Sequence, residues 1–87
     1  MLRLDPSPIV ALNRAVAVAE LDGPAVGLAL LSELPLDGYH AFHAARADLL
    51  RRLGRSAEAI AAYDRAISLT SNPAEQTYLA GRRDELT

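Results

Sequence analysis

Two histidines, His40 and His43, could carry chemistry, because imidazole binds metal ions and exchanges protons. Their spacing of three allows both to share one face of a helix. A zinc site needs a third ligand, and Asp48 lies five residues beyond His43 and off that face. The chain has no cysteine, which removes thiolate ligands, disulfides and cysteine nucleophiles. We therefore predict packed or hydrogen-bonded histidines, with no metal and no other cofactor.

A hydrolytic site would combine a nucleophile, a base and a group that orients the base, and Asp37, His43 and Ser56 supply those residue types. The sequence around Ser56 is not the Gly-x-Ser-x-Gly elbow of a serine hydrolase. No segment alternates with period two, so no strand is available to support such an elbow. We predict that the chain is not an enzyme.

Four arginines within ten residues form a second group, because guanidinium groups recognise carboxylates and phosphates. They are Arg46, Arg51, Arg52 and Arg55. Neighbouring acids neutralise much of this charge, and the net charge of the chain is −2. The pattern favours a solvated surface over a nucleic-acid site, with Arg51 and Arg52 as candidate contacts for a protein. An anion held by Arg46, Arg51 or Arg52 is the alternative.

Arg14 and Arg46 have alanine on at least one side and apolar neighbours nearby. Such surroundings favour a structural hydrogen bond to a loop carbonyl or to a carboxylate of the adjacent turn. Asn13 could join the same network. Ligand binding by these arginines is the alternative.

Helices must position these residues, since the chain is 51% hydrophobic but only 5% aromatic and takes most of its apolar residues from Ala and Leu. Gly, Pro, Ser and Asn mark the ends of five helical segments. The predicted segments are 7–21, 24–34, 39–53, 56–69 and 72–86. Ser7 and Asn72 are predicted caps, and Glu75 would complete a capping box with Asn72. Connections of about two to five residues make neighbouring helices antiparallel hairpins.

The chain is therefore predicted to be one all-α domain, residues 1–87, with hairpins at 7–34 and 39–70 and a final capping helix at 72–86. Small residues line the predicted contact face of the fourth helix, where Ala59 and Ala66 flank Tyr63 at helical spacing. Alanines on that face allow a close approach of the third helix, which offers Ala47 as its own small contact and Leu50 as bulk.

The layout repeats after about 32 residues. The pairs are Arg14 with Arg46, Ala15 with Ala47, Val18 with Leu50, Leu21 with Leu53, Gly27 with Ala59, and Leu31 with Tyr63. Only the turn glycines, Gly23 and Gly54, are one residue out of step. A two-helix unit of this length with small residues at the crossing is typical of helical solenoids.

The segment from Phe42 to Pro73 resembles a tetratricopeptide repeat. The residues that carry the resemblance are Ala47, Leu50, Gly54, Ala59, Tyr63 and Ala66. His43 replaces the usual aromatic residue of the first helix, and Arg46 replaces a small residue. The earlier unit matches more weakly.

A wider resemblance rests on the strings SPIVALNRAVAVAE and LDGYHAFHAARADLLRRLGR. Nearly the whole chain is similar to the tetratricopeptide-like C-terminal extension of bacterial extracytoplasmic-function RNA polymerase sigma factors. The resemblance implies a cytoplasmic regulatory domain that lacks the promoter-binding regions and binds upstream sigma-factor regions or RNA polymerase, without direct contact to nucleic acid. A stand-alone helical-repeat adaptor or a dimerisation module is the alternative.

The first helical segment is apolar on more than one side. One side must serve its own hairpin, and the other is predicted to bind upstream sigma-factor helices or a second copy of the chain. Ile9, Leu12 and Val16 are the predicted centre of that interface. The alternative is that the second helix and the N-terminus bury all three. Arg14, Glu20 and Asp22 interrupt the apolar run, so we predict no membrane span.

Overall fold

The computed structural model of the protein describes residues 8–86, and every regular element within this range is an α-helix. The helices are α1 (Pro8–Asp22), α2 (Pro24–Leu31), α3 (His40–Arg52), α4 (Ser56–Leu69) and α5 (Pro73–Asp84). They confirm the predicted all-α class. None of these five is long and apolar enough to cross a membrane.

Glycine sets the two sharpest turns. Gly23 and Gly54 have positive φ angles of 105° and 77°, which glycine adopts without steric cost. After α3 the amide of Gly54 donates to the carbonyl of Arg51, and the amide of Arg55 donates to that of Leu50. This pair of bonds is a Schellman motif, which ends α3 and turns the chain into α4.

The second helix is shorter than predicted, because it ends at Leu31 and not at Leu34. The hydroxyl of Ser32 donates to the carbonyl of Leu28 at 2.9 Å, and the amide of Leu34 bonds to the carbonyl of Leu31 at 3.0 Å. Pro35 disfavours helical angles at the residue before it, which keeps α2 from continuing.

Asn72 caps α5, while the predicted capping box forms differently. The Asn72 side chain accepts hydrogen bonds from the amides of Ala74 and Glu75 at 2.9 and 3.3 Å. The Asn72 amide donates to the hydroxyl of Thr70, which in turn donates to the Glu75 carboxylate. Thr70 therefore stands between the two partners of the predicted box. The other predicted cap, Ser7, lies outside the described residues.

Two apolar clusters form the core. The cluster of α3, α4 and α5 contains Ala47, Leu50, Ala59, Ala62, Tyr63, Ala66 and Leu79. The cluster of α1, α2 and α3 contains Leu12, Ala15, Ala19, Leu31, Phe42 and Leu49. Leu28 packs against both clusters, so α2 holds the two hairpins together.

The α1–α2 hairpin is held close by a glycine. A Cβ added to Gly27 would collide with the Cβ of Ala19 and would lie 3.0 Å from the carbonyl oxygen of Ala15. Gly27 thus gives the first hairpin the small contact that its repeat equivalent, Ala59, gives the second.

Candidate protein interface

One side of α1 is exposed along its length. The side chains that α1 buries are Leu12, Ala15 and Ala19, which belong to the first core cluster. Asn13, Ala17 and Leu21 follow one another at intervals of four on the opposite side. All three are exposed, and Leu21 has 85% of its surface accessible. We refer to Asn13, Ala17 and Leu21 as the α1 outer face.

The predicted interface centred on Ile9, Leu12 and Val16 needs correction. Leu12 is only 5% exposed, because it packs in the core cluster, and Val16 is half-buried. The side chain of Ile9 lies outside the described part of the chain. Composition alone does not say which stripe of an apolar helix faces its own hairpin.

A cleft of about 250 Å³ lies beside the outer face, between α1 and α2. Its lining consists of Ala11, Arg14, Ala15, Leu30, Glu33 and Leu34. Leu30 is 38% exposed although it is a large apolar residue. Arg14 and Glu33 add opposite charges to an otherwise apolar lining. The cleft is therefore suited to an apolar side chain, with polar groups of the partner next to Arg14 and Glu33.

Asn13 and Arg14 do not form the structural hydrogen bonds predicted for them within residues 8–86. Both are exposed on the open side of α1, where no loop carbonyl or carboxylate of the described residues bonds to them. Their position makes them available to a partner. Helical spacing alone could not separate this role from a structural one.

Arg46, the repeat equivalent of Arg14, has different surroundings. It is half-buried and lines a groove of about 300 Å³ between α2 and the second hairpin. Leu28 of α2 and Leu53 line the same groove. In the second hairpin, α2 therefore lies against the position of Arg46. At the equivalent position of the first hairpin, Arg14, no described helix takes that place.

Carboxylates pair with the predicted binding arginines Arg51 and Arg52. Asp48 bonds to Arg51 and lies 3.0 Å from Arg52. Arg52 also donates to Glu20 at 2.7 Å, which ties α3 to α1. The hydrogen bond that Arg51 donates to Asp48 is the main cause that raises the pKa of Arg51. The buried Nε of Arg51 has no hydrogen-bond partner among the described residues. Both guanidinium groups nevertheless pair with carboxylates, so an added anion would have to compete with them.

Arg83 and Arg55 also have acidic partners. Arg83 donates to Asp64 at 2.7 Å, and Arg55 donates two hydrogen bonds, of 2.7 and 2.8 Å, to Glu58. The Arg55 guanidinium lowers the pKa of Glu58 below its ordinary value. The surface of α3 to α5 therefore mixes charges of both signs.

The two histidines face different partners. Nε2 of His40 lies 3.0 Å from the Glu75 carboxylate, which links the start of α3 to α5. Nε2 of His43 lies 2.7 Å from the carbonyl oxygen of Asp37. Among residues 8–86, no group of three or more His, Cys, Asp or Glu side chains is placed to hold a metal ion.

Sequence reasoning did not place Ala17 or Leu30 in the interface. The signal that could have found them is the repeat, because Ala17 and Leu30 are the equivalents of Leu49 and Ala62, which are buried. Such a position is buried in the second unit and exposed in the first. It therefore marks a surface that is covered in the second unit and open in the first.

Comparison with known proteins gives one informative relative. An uncharacterized protein of Rhizobium meliloti (strain 1021) is 48% identical over 86 residues, which cover 97% of this chain and 20% of that protein. The chain thus spans about a fifth of the length of this relative. No family model matches the chain, and no solved structure matches it.

Proposed function

We propose that the chain is a regulatory, protein-binding domain of a bacterial extracytoplasmic-function sigma factor, with a tetratricopeptide-like architecture. The observation that carries this proposal is the α1 outer face with its adjoining cleft. Leu21 and Leu30 expose large apolar surfaces next to the closely packed core of the first hairpin. Apolar side chains in a concave, partly polar setting are suited to bind another protein.

The partner in this proposal is an upstream sigma-factor region or RNA polymerase in the cytoplasm. The length of the Rhizobium relative supports an intramolecular partner, because about four fifths of that protein lie outside the matched segment. The role is regulatory and not enzymatic, and the promoter-binding regions belong elsewhere. Direct contact to nucleic acid is not expected, because Arg51, Arg52 and Arg83 already have carboxylate partners.

The experiment uses the Rhizobium relative in full length and a version without the segment that matches this chain. Each is mixed with bacterial core RNA polymerase, and binding is followed by sedimentation velocity. Run-off transcription on genomic DNA then reports sigma activity. We expect the full-length protein to bind polymerase and to start transcription, and the deletion to change the amount of transcript. A full-length protein that neither binds polymerase nor starts transcription contradicts the proposal.

A dimerisation module is the second candidate, because Leu21 would also suit a contact with another copy of the chain. Light scattering over a range of concentrations separates the two. A mass that stays monomeric counts against dimerisation, while a dimer that Leu21→Glu converts to monomer supports it.

A further inference from the structure

The two hairpins lie side by side in register. Glu20 of α1 and Arg52 of α3 are 32 residues apart and are joined by a hydrogen bond of 2.7 Å. This spacing is the same as the spacing of the sequence repeat. Equivalent positions of α1 and α3 therefore lie next to each other, and a contact made by α3 can be transferred to α1 by subtracting 32.

The face that α3 turns toward the first hairpin is known. Leu49 belongs to the cluster of the first hairpin, Ala45 packs against that cluster, and Leu53 lines the groove beside Leu28. Their equivalents in α1 are Asn13, Ala17 and Leu21. These three residues form the α1 outer face, and all are exposed. The first hairpin therefore leaves open the face that the second hairpin uses for docking.

The cleft follows the same rule. Its residues Arg14, Ala15 and Leu30 are the equivalents of Arg46, Ala47 and Ala62. Leu28 packs against the cluster that contains Ala47 and Ala62, and it lines the groove of Arg46. In the second hairpin, an aliphatic side chain from the preceding hairpin thus packs against the positions of Ala47 and Ala62 and borders the groove at Arg46. In the first hairpin, the corresponding place is an open cleft of about 250 Å³.

We infer that the α1 outer face and its cleft receive one further helical hairpin of the same repeat, whose second helix places an aliphatic side chain in the cleft as Leu28 does in the next unit. Continuity with the contact between the two hairpins supports this occupant. The inference deepens the proposed function. It rests on that function only in assuming that the domain is part of a longer chain, as the matched segment is in the Rhizobium relative.

A tandem chain tests the inference. It carries residues 8–39 twice, with the added copy directly before Pro8, so that the spacing of the repeat is kept. We expect one cooperative thermal transition at a higher Tm than that of the 87-residue chain. Hydrogen exchange should be slower in the original α1, because the added hairpin covers its outer face.

Two substitutions in the original α1 sharpen the test. Leu21→Glu should lower the Tm of the tandem chain by about 5 °C and leave that of the single chain nearly unchanged, since Leu21 is exposed there. Ala17→Leu supplies the side chain that α3 has at the equivalent position, so it should raise the Tm of the tandem chain alone. Ala61→Glu changes an exposed residue of α4 and is the control. It should leave the difference in Tm between the tandem chain and the single chain unchanged.

Two results would overturn the inference. In one, the added copy in the tandem chain exchanges its amides at the rate of an unfolded peptide and the original α1 gains no protection. Ala17→Leu then also fails to raise the Tm of the tandem chain. The other is a single chain that forms a dimer through Leu21. Either result would exclude a repeat hairpin as the occupant of the α1 outer face. The tandem chain contains no promoter-binding region, so the proposed sigma-factor function is tested separately, by polymerase binding of the relative.

Discussion

The α1–α2 and α3–α4 hairpins share a repeat but differ in how their surfaces are covered. The second hairpin has α2 on one side through Leu28 and α5 on the other through Leu79. Its interior uses small alanines around Tyr63. The first hairpin is covered by α3 on one side, and its opposite side exposes Leu21 and Leu30.

This difference shows that equivalent positions of the same two-helix unit can be buried in one copy and exposed in the other. Ala62 and Leu30 occupy equivalent positions, yet Ala62 is 3% exposed and Leu30 is 38% exposed. The second hairpin can use a small residue because its neighbours supply the volume. The first hairpin keeps a large aliphatic side chain at the surface of the described chain, where a partner could cover it. Substitutions at equivalent positions can test this contrast.

Leu50 and Val18 provide the largest expected contrast. Leu50 is fully buried, so Leu50→Ala should reduce the free energy of unfolding by about 2 to 5 kcal/mol through lost burial and the cavity left behind. Val18 is half-buried, and Val18→Ala should reduce it by less than about 2 kcal/mol. Urea unfolding followed by circular dichroism measures both. Equal losses would mean that the first hairpin is as tightly packed as the second.

Gly27 tests the close crossing of α1 and α2. Gly27→Ala should destabilise the chain by about 1 to 3 kcal/mol, because the new methyl group meets Ala19 and the Ala15 carbonyl. Helix propensity alone predicts the opposite sign.

Gly81 is the matched control for that change. It lies in α5 with no atom within 4 Å of an added Cβ, so Gly81→Ala should stabilise the chain by up to about 1 kcal/mol. Thermal unfolding of the two variants measures the signs. A stabilising Gly27→Ala would show that the two helices do not cross as closely as described.

Asn72 tests the cover that α5 gives the second hairpin. Asn72→Ala removes the acceptor for two amides at the start of α5 and should cost about 1 kcal/mol. Hydrogen exchange should rise first in α5, while α1 and α2 keep their rates. Ser71→Ala, at the exposed neighbouring position, is the control and should change neither quantity. A uniform rise over all helices would contradict a local role for this cap.

The sequence predicted the all-α class and the main packing residues, because glycine, proline and apolar spacing act locally. Ala47, Ala59 and Ala66 are fully buried, as their spacing on two helices indicates. The early end of α2 and the role of Thr70 in the α5 cap were not predicted. Both involve local side-chain hydrogen bonds, from Ser32 to Leu28 after α2 and between Thr70 and its neighbours before α5.

The interface was harder to predict than the fold. A helix as apolar as α1 has two stripes of similar composition, and periodicity could not decide which one faces α2. The prediction chose Leu12, which is buried, in place of Leu21, which is exposed. The arginines posed a similar problem, because the partner of Arg52 is Glu20, which lies on another helix. Long-range pairing of this kind depends on the tertiary arrangement.

The smallest expected effect concerns Glu58, at the start of α4. Hydrogen bonds from Arg55 lower the pKa of Glu58 below its ordinary value of 4.5 in the folded chain, and Arg46 adds a weaker attraction. A carboxyl group whose pKa falls on folding stabilises the fold above its unfolded pKa, and this stabilisation is lost as the pH falls through the folded pKa. Any loss from this pair therefore belongs to the acid range and is small, because both groups are exposed to solvent.

An NMR titration of the Glu58 carboxyl carbon checks this order of causes. Arg55→Gln should raise the pKa of Glu58 clearly, because it removes both hydrogen bonds and the nearer charge. Arg46→Gln should raise it less, since Arg46 acts only through its charge from the groove beside Leu28. Equal shifts would place the Arg46 guanidinium as close to Glu58 as that of Arg55. The covered side of the second hairpin would then be arranged differently, and its contrast with the open cleft at Arg14 would weaken.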